Sequence, residues 1–178
     1  AFPAGRTFKT KEGSNIVFEP GQLVDAPFGP VLVSEGRVPD AAHVESGHVG
    51  IFYLKPQPKG FQLVRAFPDA IQSGSFGQMS ELAVSDKFAN QPVVYTAGGG
   101  TWQGYTCSWT TLSELQPTGP VEMVTFMDSF DDSGALGDDG ATSIQGKITN
   151  IVRGRSFDVV FKGTRNFTAR YVRDGNKY

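Results

Sequence analysis

Five aspartates fall within the segment Asp128-Ser129-Phe130-Asp131-Asp132-Ser133-Gly134-Ala135-Leu136-Gly137-Asp138-Asp139-Gly140, and no lysine or arginine accompanies them. Carboxylates this dense repel one another unless water, hydrogen bonds or a cation intervene, and hard oxygen donors on glycine-rich turns suit Ca²⁺. Asp128, Asp131, Asp132 and Asp138 are the candidate ligands. The spacing fails the EF-hand test: counted from Asp128, the third position is Phe130 and the twelfth is Asp139 instead of glutamate. An exposed acidic loop, solvated or meeting a partner through Asp131 and Asp132, is the stronger expectation.

The only histidines, His43 and His48, lie in Asp40-Ala41-Ala42-His43-Val44-Glu45-Ser46-Gly47-His48. Their spacing does not put both on one helical face, as an i, i+4 zinc pair would be. A hydrolase with His43 or His48 as general base is a further reading, yet the nucleophile-elbow pattern G-x-S-x-G is absent and Ser75 lacks the glycine two residues before it. Phosphate-loop patterns fail as well: Gly98-Gly99-Gly100-Thr101-Trp102-Gln103-Gly104 has neither the Lys-Ser/Thr of a P-loop nor the G-x-G-x-x-G register. Cys107, the sole cysteine, cannot form an intramolecular disulfide and reads as a buried structural thiol.

Recognition chemistry is better represented. Gly98, Gly99 and Gly100 precede Trp102 directly, and an exposed tryptophan beside a side-chain-free loop is a contact anchor for a protein or for the apolar face of a sugar. Alternation along one strand puts Tyr105, Cys107 and Trp109 on one side and Trp102 on the other. Charge is divided unevenly: residues 1–146 carry 8 Lys+Arg against 16 Asp+Glu, while residues 147–178 carry 8 against 2. The C-terminal part is thus a basic element on an acidic body, with Arg165 and Arg170 as candidate contacts for an acidic partner surface.

The elements that must hold these residues are strands. Phe157, Val159 and Phe161 alternate along one run, Phe167, Ala169 and Tyr171 along the next, and Lys162-Gly163-Thr164-Arg165-Asn166 joins them as a hairpin. Further strands are expected over 15–18, 31–34, 49–54, 61–66, 93–97, 102–110, 122–127 and 143–152, separated by Gly- and Pro-containing turns that include Gly98–Gly100. Short helical pieces are expected over 39–45 and 111–115, and 80–88 fits a helix or a buried strand. Many short strands with no long 3.6-residue period between them imply antiparallel pairing.

The chain of 178 residues has a net charge of −2, and 22 Gly and 11 Pro argue against a helical bundle. No apolar run approaches the roughly 18 residues of a membrane helix, and the near-neutral balance gives no global electrostatic case for nucleic-acid binding. Ala1 is the first residue, which fits a trimmed chain or a mature protein freed of its signal peptide; the composition favours the second, secreted or periplasmic. The expectation over residues 1–178 is one all-β domain, an antiparallel sandwich or distorted barrel with one or two helical turns. Its expected function is non-enzymatic binding of another protein, as an inhibitor or immunity-type partner of a secreted enzyme, with carbohydrate binding through exposed tryptophan as the alternative.

Overall fold

The computed structural model describes residues 7–10, 13–137 and 139–178. Two antiparallel sheets make up nearly all of it. The first contains β1 (Thr7–Lys9), β2 (Asn15–Phe18), β3 (Gln22–Ala26), β4 (Gly29–Arg37), β5 (Gly47–Gln57) and β6 (Gly60–Ser73), in the order β1-β2-β4-β5-β6 with β3 also paired to β4. The second is an unbroken meander of β7 (Glu81–Ser85), β8 (Val93–Trp102), β9 (Tyr105–Gln116), β10 (Gly119–Asp131), β11 (Ser143–Val152), β12 (Ser156–Gly163) and β13 (Phe167–Val172), with α1 (Ser133–Leu136) between β10 and β11. Among the described residues no helix is long and apolar enough to cross a membrane.

Alternation explains which faces meet. Val31, Val33, Val49, Ile51 and Ile71 of the first sheet pack with Val94 and Leu115 of the second, forming the sandwich core. A second core of Leu112, Phe126, Phe157, Val159 and Phe161 fills the concave side of the meander. That sheet is strongly curled. Glu114 on β9 and Arg173 just past β13 are four strands apart, about 19 Å on a flat sheet, yet their side chains meet at 2.8 Å. Bulges in β10 at Glu122–Val124 and Met127–Ser129, and in β11 at Thr149–Val152, supply local bending. Tyr178 plugs the curl, stacking edge-on against Phe157 and donating its hydroxyl to the Phe88 carbonyl at 2.6 Å.

Both expected helices are absent. Residues 39–45 form turns with Asp40 at a φ of 56°, and Thr111–Leu115 lies inside β9. Leu112 and Leu115 have helical spacing, but as strand residues of opposite parity they enter different cores. The helical turn that does form is α1, within the acidic segment. Gly98, Gly99 and Gly100 are no loop either: all three pair within β8.

Candidate recognition surface

β8 and β9 are joined by Gln103-Gly104, whose φ values of 51° and 84° match a type I′ hairpin turn. Across the ladder Trp102 faces Tyr105, Gly100 faces Cys107 and Gly98 faces Trp109, while Trp109 also faces Met127 of β10. Directly opposed residues share a sheet face. Trp102, Tyr105 and Trp109 therefore lie on one face, which corrects the expectation from parity along a single strand: the run is broken by the turn, and the chain reverses before Tyr105. Trp102, Tyr105, Trp109 and Met127 retain 36%, 41%, 36% and 39% of their surface in solvent. Phe130 lies beside them, its ring 6.5 Å from that of Tyr105.

One side of this face is built by the first sheet's loops. The missing side chain at Gly98 admits the backbone of Gly74, and Ser75 donates its hydroxyl to the Gly99 carbonyl at 2.9 Å. The Trp102 ring lies over Gly100, where a Cβ would stand 2.6 Å from Cη2. Phe76, at the tip of the 74–78 turn, donates its amide to the His43 carbonyl, and Gly77 donates to Glu45 at 2.8 Å. The side chains then form a stack: Phe76 on His43 at 4.5 Å between centroids, His43 on Trp102 at 5.4 Å, with interplanar angles of 15° and 7°. Asp40, Phe76 and Gln103 are three of the four described non-glycine residues with positive φ, so left-handed backbone concentrates around this stack.

The acidic loop grips the other side. The backbone of Gly134 and Ala135 in α1 approaches Gly104 so closely that no Cβ fits there. Its carboxylates are largely committed to the loop itself. Asp132 is buried and accepts from the Thr142 amide at 2.6 Å. Asp131 accepts from the Ser133 hydroxyl and amide, and hydrogen bonds from Ser133 and Ser143 hold its carboxyl below the usual range. Asp128 accepts from the Thr110 hydroxyl, which also meets the Tyr95 hydroxyl at 3.3 Å. Asp138 lies outside the described residues. Among the described residues no three His, Cys, Asp or Glu side chains converge on a metal position.

Every second connection of a meander falls at the same end, so the β8–β9 turn, the acidic loop and the β12–β13 turn are neighbours. The Thr164 amide, donating to the Ser143 carbonyl at 2.8 Å, ties the last two together. Arg165, in that turn, is exposed and joins this end. Arg170 does not: it lies toward the far end of β13, donates to the Ser156 hydroxyl at 3.2 Å and faces Asp158 at 3.8 Å. Gly99, Gly100, Trp102, Asp131, Asp132 and Arg165 thus lie toward the same end of the meander, where Gly99, Gly100 and Asp132 serve as scaffold.

Cys107 lies on the aromatic face itself, between Tyr105 and Trp109 and opposite Gly100, half-buried, with its thiol pushed up by burial. His43 has both ring faces occupied. His48 is 3% exposed and holds Asp69 through Nδ1 at 2.8 Å, leaving Nε2 without a partner. Ser34, also buried and unpartnered, shares its sheet face, since Gly36 faces His48 and Ser34 faces Gly50. The Phe18 ring, however, lies over both Gly36 and Gly50, crossing between serine and histidine. Among the described residues no hydroxyl or thiol meets His48 Nε2. The contributions of Phe76, His43 and Met127 were not legible in the sequence, because a tertiary loop contact and cross-strand register place them. Comparison with protein-family models, with curated proteins and with solved structures returned no match for this chain, so its surface geometry is the basis for interpretation.

Proposed function

We propose that the protein is an exported, non-enzymatic module that binds another protein, of the inhibitor or immunity type toward a secreted enzyme, through the aromatic face at the β8–β9 end. The observation carrying this reading is the row of Trp102, Tyr105, Trp109 and Met127, part-exposed on one ladder face beside Phe76. Aromatic residues and methionine are the types enriched in interface cores, and rigid aromatic anchors dominate binding energy. Exposed Arg165 and the acidic loop supply a charged rim at the same end, suited to orienting a partner.

The test is retention of proteins from the native organism's envelope and culture fluid on immobilised wild-type chain and on a Tyr105→Ala/Met127→Ala variant. Both positions are exposed, so the variant should fold. A species retained by the wild type and lost by the variant supports the reading; identical retention by both removes the aromatic face from the site. Repeating the capture with a chelator tests whether the acidic segment contributes through Ca²⁺.

Carbohydrate binding is the second reading, favoured by Trp102 and Trp109 sharing one face about 13 Å apart along the ladder. Saturable quenching of tryptophan fluorescence by a free glycan, lost in Trp109→Ala, would replace protein recognition with sugar recognition.

A further inference from the structure

The outer surface of the β11–β12 ladder, opposite Phe157, Val159 and Phe161, carries a second feature, independent of the aromatic face. A groove of about 660 Å³ is lined by Gln145, Gly146, Lys147, Thr149, Val160, Lys162 and Gly163. Gln145 faces Lys162, Lys147 faces Val160 and Thr149 faces Asp158, so the two lysines are diagonal neighbours on one face. Diagonal positions lie within reach of long side chains. β10 pairs with β11 only over Ser129–Asp131 against Ser143–Gln145, so beyond Gln145 the β11 backbone leaves the ladder with β10, although the Asp128 carbonyl still lies close to Gly146.

Positive charge in this groove is not compensated by nearby carboxylates. Among the described residues neither Lys147 nor Lys162 has a carboxylate within ion-pair distance. The carboxylates on the same face are already engaged: Asp158 by the Asn150 amide at 2.9 Å and by Arg170, and Asp131, opposite Ser143, by the Ser133 amide and hydroxyl. Two like charges side by side oppose each other. Among the described residues the hydroxyl of Thr149 is shielded from solvent and has no hydrogen-bond partner, so the groove combines two ammonium groups without carboxylate partners with an unused donor, and Gln145 adds an amide. Lysine is a compact point charge and an established phosphate binder.

We propose that this groove binds a phosphate or sulfate group, with Lys147 and Lys162 flanking the anion and Thr149 donating to it. Free oxyanion and ester share this chemistry, and the volume lies within the range of small-molecule sites, leaving room for a body attached to the anion.

The test follows the Gly146 and Gly163 amide signals by NMR while the intact protein is titrated with inorganic phosphate, inorganic sulfate, glucose 6-phosphate and neutral glucose. Saturable shifts with the anions and none with glucose are expected. Tighter binding of glucose 6-phosphate than of phosphate identifies an ester as the preferred source; equal binding identifies the free anion. Lys147→Gln and Lys162→Gln should each weaken binding about tenfold, and raising salt from about 0.05 to 0.5 M should weaken it further. Thr149→Val should weaken binding with no loss of thermal stability, because the hydroxyl it removes bonds nothing. Lys55→Gln, on β5 of the first sheet, should leave affinity unchanged. Shifts that fail to saturate, or affinity unaltered in the Lys147→Gln/Lys162→Gln variant, would overturn the assignment.

Discussion

Gly98 and Gly100 are two residues apart on the same face of β8, yet the structure predicts different consequences for giving each a methyl group. At Gly98 the new Cβ would stand 2.6 Å from the Gly74 nitrogen and 2.7 Å from Gly74 Cα. Ordinary contact begins near 3.4 Å, so the 73–78 loop must retreat by about 0.8 Å, and the obstructing atoms are backbone. Overpacking of this kind costs about 2 kcal/mol, or roughly 4–8 °C in melting temperature for a chain of this size. At Gly100 the nearest atoms are Cη2 and Cζ2 of Trp102, the free end of a side chain. That ring can swing away, forfeiting its stack on His43, a loss of about 1 kcal/mol. Gly98→Ala and Gly100→Ala would be compared by urea denaturation and tryptophan emission. The first should show the larger fall in midpoint, the second the larger red shift as Trp102 gains water. A Gly98→Ala variant within about 0.5 kcal/mol of wild type, or a Gly100→Ala variant with unchanged emission, would refute the close packing described for this face.

Other outcomes follow from single contacts. Glu114→Ala leaves the part-buried Arg173 guanidinium without its carboxylate and should cost about 3 kcal/mol; a urea midpoint equal to wild type would show that the curl does not depend on the pair. Burial pushes the Tyr53 phenol up to about 12, so the folded state favours its neutral form, and the stability this provides below pH 10 is lost as pH rises from 10 toward 12. Absorbance titration should find at least one of the five tyrosines ionising late; a single step near pH 10 for all of them would contradict its burial. Asp132→Ala removes the acceptor of the buried Thr142 amide bond and should lower stability by about 1–3 kcal/mol, whereas Asp131→Asn, at the more accessible position, should change partner affinity more than melting temperature. Asp69→Asn weakens the bond that holds His48 and should destabilise the first sheet by about 1 kcal/mol, read as faster amide exchange in β5 and β6.

Period-two alternation made the meander legible: the expected bounds of β11 match those observed, and Phe157, Val159 and Phe161 enter the core as their spacing implied. Where the reading failed, a tertiary partner had replaced the local signal. Three glycines resemble a turn until a second loop is found packed against them, and Leu112 with Leu115 resembles a helical stripe until two separate cores are found to take them. The sequence leaves β7 open between helix and buried strand because Leu82, Ala83 and Val84 are consecutive and carry no period. Trp102 was recognisable as an anchor from composition, but its company was not: Tyr105 joins it through a two-residue turn, and His43 reaches it from about sixty residues upstream. Asp132 was misread as available because sequence shows a charge and not the amide it satisfies.

The clasp between Glu114 and Arg173, together with Tyr178 against Phe88, also bears on kinetics. These contacts span 59 and 90 residues of chain, so their loop-closure entropy must be met before they contribute, and such links form late. A chain emerging from the ribosome would first build the local hairpins and leave the concave side of the meander wetted until the final strand arrived. During that interval Phe126, Leu112 and Met123 would be exposed to neighbouring chains, and docking of residues 173–178 is the step that covers them.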